Sequence, residues 1–297
     1  MKYTLRQLEI FLATAHHESI TAAATELSMS QSAASEALKT LEQQFDIQLF
    51  DRAGKTLKLN ELGRLLRAKS EALVDQARAL EHDFRLHSDI GDLKVGATLS
   101  IGNYLAVNIM AQFMRENPLA KVSLEVENTT AIAHKVRNFI LDIGLIEGEN
   151  NDPELDMIHW RKDELVTFCS ADHPMAKQGM LTESDLAQVA WILRETGSGT
   201  RQTFERAMHG LLPQLHIALE LQHTEAIKRA VEANLGIGCL SKITLIDAFK
   251  RGNLVPLKVP TRSFERNFHF ILHKEKYRSV GIEKWLALCQ SSDYVNK

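Results

Sequence analysis

The chain has 297 residues, room for about two domains at the usual ~150 residues each. Apolar residues make up 44% and charged residues 25%, which excludes a mainly disordered, collagenous or disulfide-stapled chain. The net charge is −3 and acids slightly outnumber bases in residues 1–88, so any nucleic-acid contact must come from local geometry and not from bulk attraction.

No apolar run approaches the roughly 20 residues that span a bilayer, and Lys2, Arg6 and Glu9 interrupt any secretory core. A cytoplasmic protein without a membrane partner is expected. Cys169, Cys239 and Cys289 lie far apart in apolar stretches, the pattern of buried, reduced thiols.

Residues 1–88 read as almost wholly helical. Thr4-Leu5-Arg6-Gln7 is a capping box, and Leu5, Leu8, Leu12 and Ala15 give the first helix one buried face. Ser19 starts a second helix, Ile20–Leu27, containing Ala22-Ala23-Ala24. Ser30 caps a third, whose apolar stripe is Ala34, Leu38, Leu41 and Phe45. Two short helices joined by three or four residues, with alanines at their crossing, form a helix-turn-helix. The opposite face of the third helix carries Gln31, Ser32, Ser35, Glu36 and Lys39. Its first turns have free amides and short polar side chains suited to phosphate and major-groove base edges; an ordinary solvated helix is the alternative. Leu49–Leu59 follows as two extended arms around Gly54, a hairpin wing that would set Arg52 and Lys55 against the phosphate backbone.

Asn60 can cap a helix running to about Ser88, roughly 29 residues or ~43 Å at 1.5 Å per residue. Leu66, Leu73 and Leu80 repeat every seven residues, with Ser70, Ala77 and Phe84 as the partner row. That is a seam either between two chains or against the helix's own domain.

After Gly91-Asp92 the texture changes to β-branched runs alternating with helical patterns: Leu93–Ala97, Val122–Val126, Ile143–Ile146, Leu165–Cys169, Ala190–Leu193, Ile217–Leu221, Ile237–Leu240 and Phe268–Leu272. Strands interleaved with helices imply parallel α/β sheets. Hydroxyls collect where such strands end and helices begin. Thr98 and Ser100 follow the first run, and Thr129 and Thr130 the second. Ser198, Gly199, Thr200 and Arg201 lie in Gly197-Ser198-Gly199-Thr200-Arg201, which reads as an anion nest at a helix start, with a purely structural turn as the alternative. Glu147 either orients a ligand or pairs with a cation across the cleft. Thr224 either caps its helix or lines the cleft.

The chain resembles the LysR-type transcriptional regulators. The residues that carry the likeness are Leu5-Arg6-Gln7-Leu8, Phe11, Ser19-Ile20-Thr21-Ala22-Ala23-Ala24, Leu27, Ser30-Gln31-Ser32-Ala33-Ala34-Ser35, Leu41-Glu42 and Leu49-Phe50-Asp51-Arg52. Glu36 departs from the pattern, since many members have Arg there. The resemblance implies an α/β chain with an N-terminal all-α winged helix-turn-helix at 1–60 and a long dimerisation helix at 61–88. A two-lobed, periplasmic-binding-protein-like effector domain would occupy 89–297, with lobe one at 91–161 and 267–297 and lobe two at 162–266. It also implies promoter DNA as partner, self-association as a dimer or tetramer, and an effector in the crevice between the lobes.

Asp142–Gly148 and Leu193–Arg201 are similar to the YeiE-like and CysL-like branches, connected with sulfur assimilation and sulfite response. A small anion such as sulfite is the implied effector, and a small carboxylate would satisfy the same donors. No cofactor or metal is implied: His16, His17, His82 and His87 have no ligand spacing. An enzyme is disfavoured because Ser198 lacks a Gly-x-Ser-x-Gly elbow. A transport-type binding protein would need an export signal and no DNA-reading module.

Overall fold

The computed structural model describes residues 2–53, 56–85 and 91–291, apart from the side chains of 52–53 and 82–85. Two units emerge, residues 1–91 with Glu275–Val280, and Asp92–Lys274 with Gly281–Lys297.

In the first unit, α1 (Leu5–His17) begins with the expected capping box: Thr4 Oγ1 accepts from the Gln7 amide at 3.2 Å and Gln7 Oε1 from the Thr4 amide at 2.9 Å. Leu8, Ile10, Phe11 and Ala15 are buried. Leu5, expected on that face, is 46% exposed, because in the first turn it lies outside the cluster built on Leu8, Phe11, Leu38 and Phe50. Helix α2 (Ile20–Glu26) is capped by Ser19, and α3 (Gln31–Phe45) by Ser30, whose hydroxyl accepts from the Ala33 amide. Ala23, Ala24 and Ala34 are almost fully buried, as close helix crossing requires. The stripe of α3 ends a turn earlier than expected. Ala34, Leu38 and Leu41 are buried, whereas Phe45 is exposed, its ring 6.2 Å from that of Tyr3.

Strands β1 (Phe50–Ala53) and β2 (Thr56–Leu59) form the antiparallel wing. Asn60 Oδ1 then accepts from the Gly63 amide at 2.7 Å and starts α4 (Glu61–Arg85). Val74 is buried and Leu62, Leu66 and Leu73 are partly buried against the α1–α3 core, so the first half of α4 lies along its own domain. Lys276 Nζ meets Asp75 Oδ2 of α4 at 2.5 Å.

In the second unit every extended run read from the sequence is a strand: β3 (Asp92–Thr98), β4 (Lys121–Glu127), β5 (Ile143–Glu147), β6 (Leu155–Ser170), β7 (Ala190–Arg194), β8 (His216–Leu221), β9 (Ile237–Ser241) and β11 (Glu265–His273), with β10 (Leu254–Leu257) added. The sheet order is β4-β3-β5-β11-β6-β9-β7-β8, with β10 beside β6. The expectation of parallel sheets holds only in part. β3 runs parallel to β4 and β5, and β7 to β8 and β9, but β6 and β11 are antiparallel to each other and to their neighbours. They are the two passages of the chain between lobes, taken in opposite directions, so they must lie antiparallel.

The helices pack around this sheet. α5 (Leu99–Ile101) continues through a π-helical turn, Gly102–Ala106, into α6 (Val107–Glu116). α7 (Thr129–Arg137) completes the first lobe's inner helices. α8 (Glu183–Gln188), α9 (Gly199–Ala207), α10 (Thr224–Glu232) and α11 (Lys242–Arg251) belong to the second lobe, and α12 (Val280–Ser291) follows β11. Each lobe has its own aromatic centre, Phe113 with Trp285 and Trp191 with Phe204. The three cysteines are buried and unpaired.

Candidate DNA-reading helix and effector cleft

The face of α3 opposite Ala34, Leu38 and Leu41 is open. Gln31, Ser32, Glu36 and Lys39 are exposed and Ser35 is half-buried, so the predicted reading residues share one solvent-facing rod. Ser30 and Ser32 hydroxyls stand 3.1 Å apart at its N-terminus. Lys55 lies outside the described residues, and so does the Arg52 side chain, although its backbone belongs to β1.

The seam between the lobes of the second unit passes through Glu147 at the end of β5. Its carboxylate is buried, with Oε1 accepting from the Ser100 amide at 2.8 Å. Oε2 accepts from the Thr200 hydroxyl at 2.9 Å and from Arg266 Nη1 at 2.9 Å. Glu147 and Arg266, from the neighbouring strand β11, form a buried ion pair. Burial alone would raise its pKa, but the Arg266 guanidinium, the Ser100 amide, Arg194 and the Thr200 hydroxyl outweigh that and hold it at about 2. Arg266 also donates to Thr200 Oγ1 at 3.0 Å and, through Nε, to Asp163 Oδ2 at 2.6 Å. Asp163 accepts in turn from the Ser241 hydroxyl.

The expected anion nest is largely spent on internal partners. The Gly199 amide donates to Thr129 Oγ1 at 3.1 Å and the Thr200 amide to Ser198 Oγ at 3.2 Å. Thr129 itself donates to the Glu147 carbonyl, and Thr130 to the Gly197 carbonyl. Gly199 is required for closeness: a Cβ there would fall 2.0 Å from the Glu147 carbonyl oxygen. Arg201 is turned out of the cleft. It binds Glu205 at 2.6 Å, the Arg194 carbonyl at 3.0 Å and Glu220 at 3.2 Å, because the first turn of α9 points its side chain along lobe two.

Among the described residues of this domain, four buried polar atoms have no hydrogen-bond partner: Trp285 Nε1 in the first lobe's core, and three others, Thr98 Oγ1, Thr224 Oγ1 and Arg266 Nη2. These three lie on elements that meet at the seam, since β3–α5 reaches Glu147 through Ser100, α10 reaches the π turn through Glu225, and β11 supplies Arg266. Sequence reading singles out the two threonines but not Arg266 or Asp163, and places Arg266 only as the last residue of lobe two. The available signal was an arginine embedded between Phe264 and Phe268. Among the described residues no group of His, Cys, Asp and Glu is arranged to hold a metal ion, and no helix is long and apolar enough to cross a membrane.

Of the predicted dimer residues, Leu66 and Leu73 pack against the chain's own core, Ala77 is half-buried and Leu80 is 54% exposed. The Phe84 side chain lies outside the described residues.

Comparison with known proteins agrees with both halves. The model of the bacterial regulatory helix-turn-helix protein, lysR family, matches residues 5–64, and that of the LysR substrate binding domain matches 87–293. The transcriptional regulator YeiE of Escherichia coli is 39% identical over 99% of both chains. CysL of Bacillus subtilis is 30% identical over 89% of both. The full-length OxyR structure from Pseudomonas aeruginosa superimposes with a TM-score of 0.77 at 20% identity, covering 99% of this chain and 97% of its own. With its helix-turn-helix, two-lobed effector domain and these matches, the chain belongs to the LysR family of transcriptional regulators.

Proposed function

We propose that the protein reads promoter DNA with Gln31, Ser32, Ser35, Glu36 and Lys39 of α3, with Arg52 and Lys55 of the wing on the phosphate backbone, and that it acts in the cytoplasm as a dimer or tetramer. A small anion, sulfite or a related sulfur oxyanion, is the effector that adjusts this reading. The observation that carries the effector assignment is the buried, unpaired Nη2 of Arg266, together with the unpaired hydroxyls of Thr98 and Thr224 on other elements of the domain. A buried donor left unmade costs about 1–3 kcal/mol, which an oxyanion's oxygens would recover.

Glu147 supports the same reading. A trigonal carboxylate already sits on the Ser100 amide, the Thr200 hydroxyl and Arg266, so these donors are spaced for the oxygens of a small anion. The preference for sulfur oxyanions follows the resemblance of Asp142–Gly148 and Leu193–Arg201 to the YeiE-like and CysL-like branches. A small carboxylate is the competing ligand. Titration calorimetry of the full chain with sulfite, sulfate, thiosulfate and acetate tests the assignment. Saturable heat with a sulfur oxyanion supports it, and flat traces for all four remove the anion reading.

A further inference from the structure

Besides the Glu147–Arg266 pair and the contacts of Thr129 with Gly199 and of Glu149 with Gln202 and Arg206, the lobes touch at two rims of the cleft. At one, the Thr130 amide and hydroxyl donate to the Gly197 carbonyl, and Asn128 Nδ2 donates to Glu195 Oε1 at 3.2 Å. At the other stands a group that sequence reading did not mark. Tyr104, from the first lobe, donates its hydroxyl proton to Glu225 Oε1 at 3.0 Å and accepts from Lys228 Nζ at 3.1 Å. Lys228 also donates to the Thr244 carbonyl at 3.2 Å and pairs with Glu225.

Two features set this group apart from a surface ion pair. Lys228 is 8% exposed, and the three N–H donors of its ammonium match the three acceptors Tyr104, Thr244 and Glu225, leaving none for a ligand. Tyr104 sits on the π-helical turn Gly102–Ala106, where the extra residue re-aims a side chain that regular α-helix would point elsewhere. The turn is held against β4, since a Cβ on Gly102 would lie 2.7 Å from Val126. Thr224, whose hydroxyl is unpaired, lies one turn before Lys228 on the same face of α10.

We propose that Tyr104 and Lys228 form a lock between the lobes, positioning residues that hold α10 and its Thr224 hydroxyl against the first lobe and thereby set effector affinity. The proposal rests on the effector reading above for its consequence, but the lock itself does not. A ligand that binds only the joined lobes has an apparent Kd equal to its intrinsic Kd divided by the joined fraction. Loosening the lock therefore weakens effector binding without removing any group that touches the effector.

The test uses the full chain as wild type, Tyr104→Phe, Lys228→Met, the double variant and Lys228→Arg. Without ligand, hydrogen exchange at the Ser100 and Gly199 amides should speed up about tenfold in Tyr104→Phe and Lys228→Met, with the melting temperature unchanged. Sulfite affinity should fall ~3–10-fold in each single variant and no further in the double, the signature of a coupled pair. Lys228→Arg should restore most of both readouts. Unchanged exchange at the two amides, or losses that merely follow a lowered melting temperature, overturns the lock. Faster exchange in a chain whose wild type binds none of the anions keeps the lock and removes the effector reading instead.

Discussion

Two glutamates show how burial acts with opposite sign according to its company. Glu147 is surrounded by donors, so its pKa falls from 4.5 to about 2. A depressed carboxyl contributes stability above its unfolded pKa and loses it as pH drops toward the folded value. The inter-lobe pairing should therefore be constant from pH 8 to about 5 and weaken only in acid. Glu71 on α4 is raised from 4.5 to about 7, by burial first and by Asp75 second, with Lys276, Arg67 and Arg78 only partly compensating. Here the folded state holds the proton more tightly, so its cost to folding grows as pH rises from 4.5 to 7 and is then complete. Glu71→Gln should raise the melting temperature of the full chain at pH 8, by up to about 3 kcal/mol in free energy, and add nothing at pH 4. Equal effects at both pH values would show that the carboxyl is not burdened by its surroundings. Glu147→Gln carries the opposite expectation for ligand: removing the resident charge beside Arg266 should tighten sulfite binding at least tenfold in calorimetry, while the lobes lose stability. Thr200→Ala, which removes a donor, should weaken sulfite binding roughly tenfold and leave DNA affinity in the absence of effector unchanged.

At the scale of the element, α3 and α9 differ in how much of them could be read in advance. Ser30, Ala34, Leu38 and Leu41 specify α3 within fifteen residues, by a cap and a spacing, and the open face follows as the complement. Gln31→Ala and Ser35→Ala should each cost about 1–3 kcal/mol of discrimination between promoter and random duplex, and Lys39→Ala should mainly lower the slope of affinity against salt. Fluorescence anisotropy on both duplexes at several salt concentrations separates the two effects. The N-terminus of α9 was equally visible as a glycine- and hydroxyl-rich turn, yet its amides go to Thr129 and Ser198 and not to a free anion. That outcome depends on Thr129 and Glu147, about 50 to 70 residues away in sequence, and no local spacing announces it. Arg266 was illegible for the same reason: the β6–β11 register that sets it opposite Asp163 joins positions 103 residues apart. Local chemistry made caps, strands and the helix-turn-helix readable, whereas the choice of partners for buried charges belongs to the sheet. Gly199→Ala, placing a methyl 2.0 Å from the Glu147 carbonyl, should disrupt the cleft more than any single hydroxyl deletion.

For the whole molecule the open question of partner surface falls on α4. Leu66 and Leu73 already bury part of their area in the N-terminal core, whereas Leu80 and Leu65 are 54% and 62% exposed on a helix of 25 residues. A leucine that serves its own core and one that awaits a partner respond differently to charge. Leu66→Glu should unfold the N-terminal unit, visible as lost helicity and lost DNA binding in any oligomeric state. Leu80→Glu should leave helicity intact and shift the particle to the mass of a single 33.4 kDa chain in light scattering at micromolar concentration. Since a two-fold pair presents two α3 helices to two half-sites, that monomer should bind a single half-site normally and lose the added affinity of the full operator. A wild-type chain that is itself monomeric would make the seam on α4 an ordinary solvated face. An associating chain must also obey reciprocity: the factor by which sulfite changes operator affinity must equal the factor by which operator changes sulfite affinity. If those two factors differ, the anion and the DNA are not acting on the same pair of states.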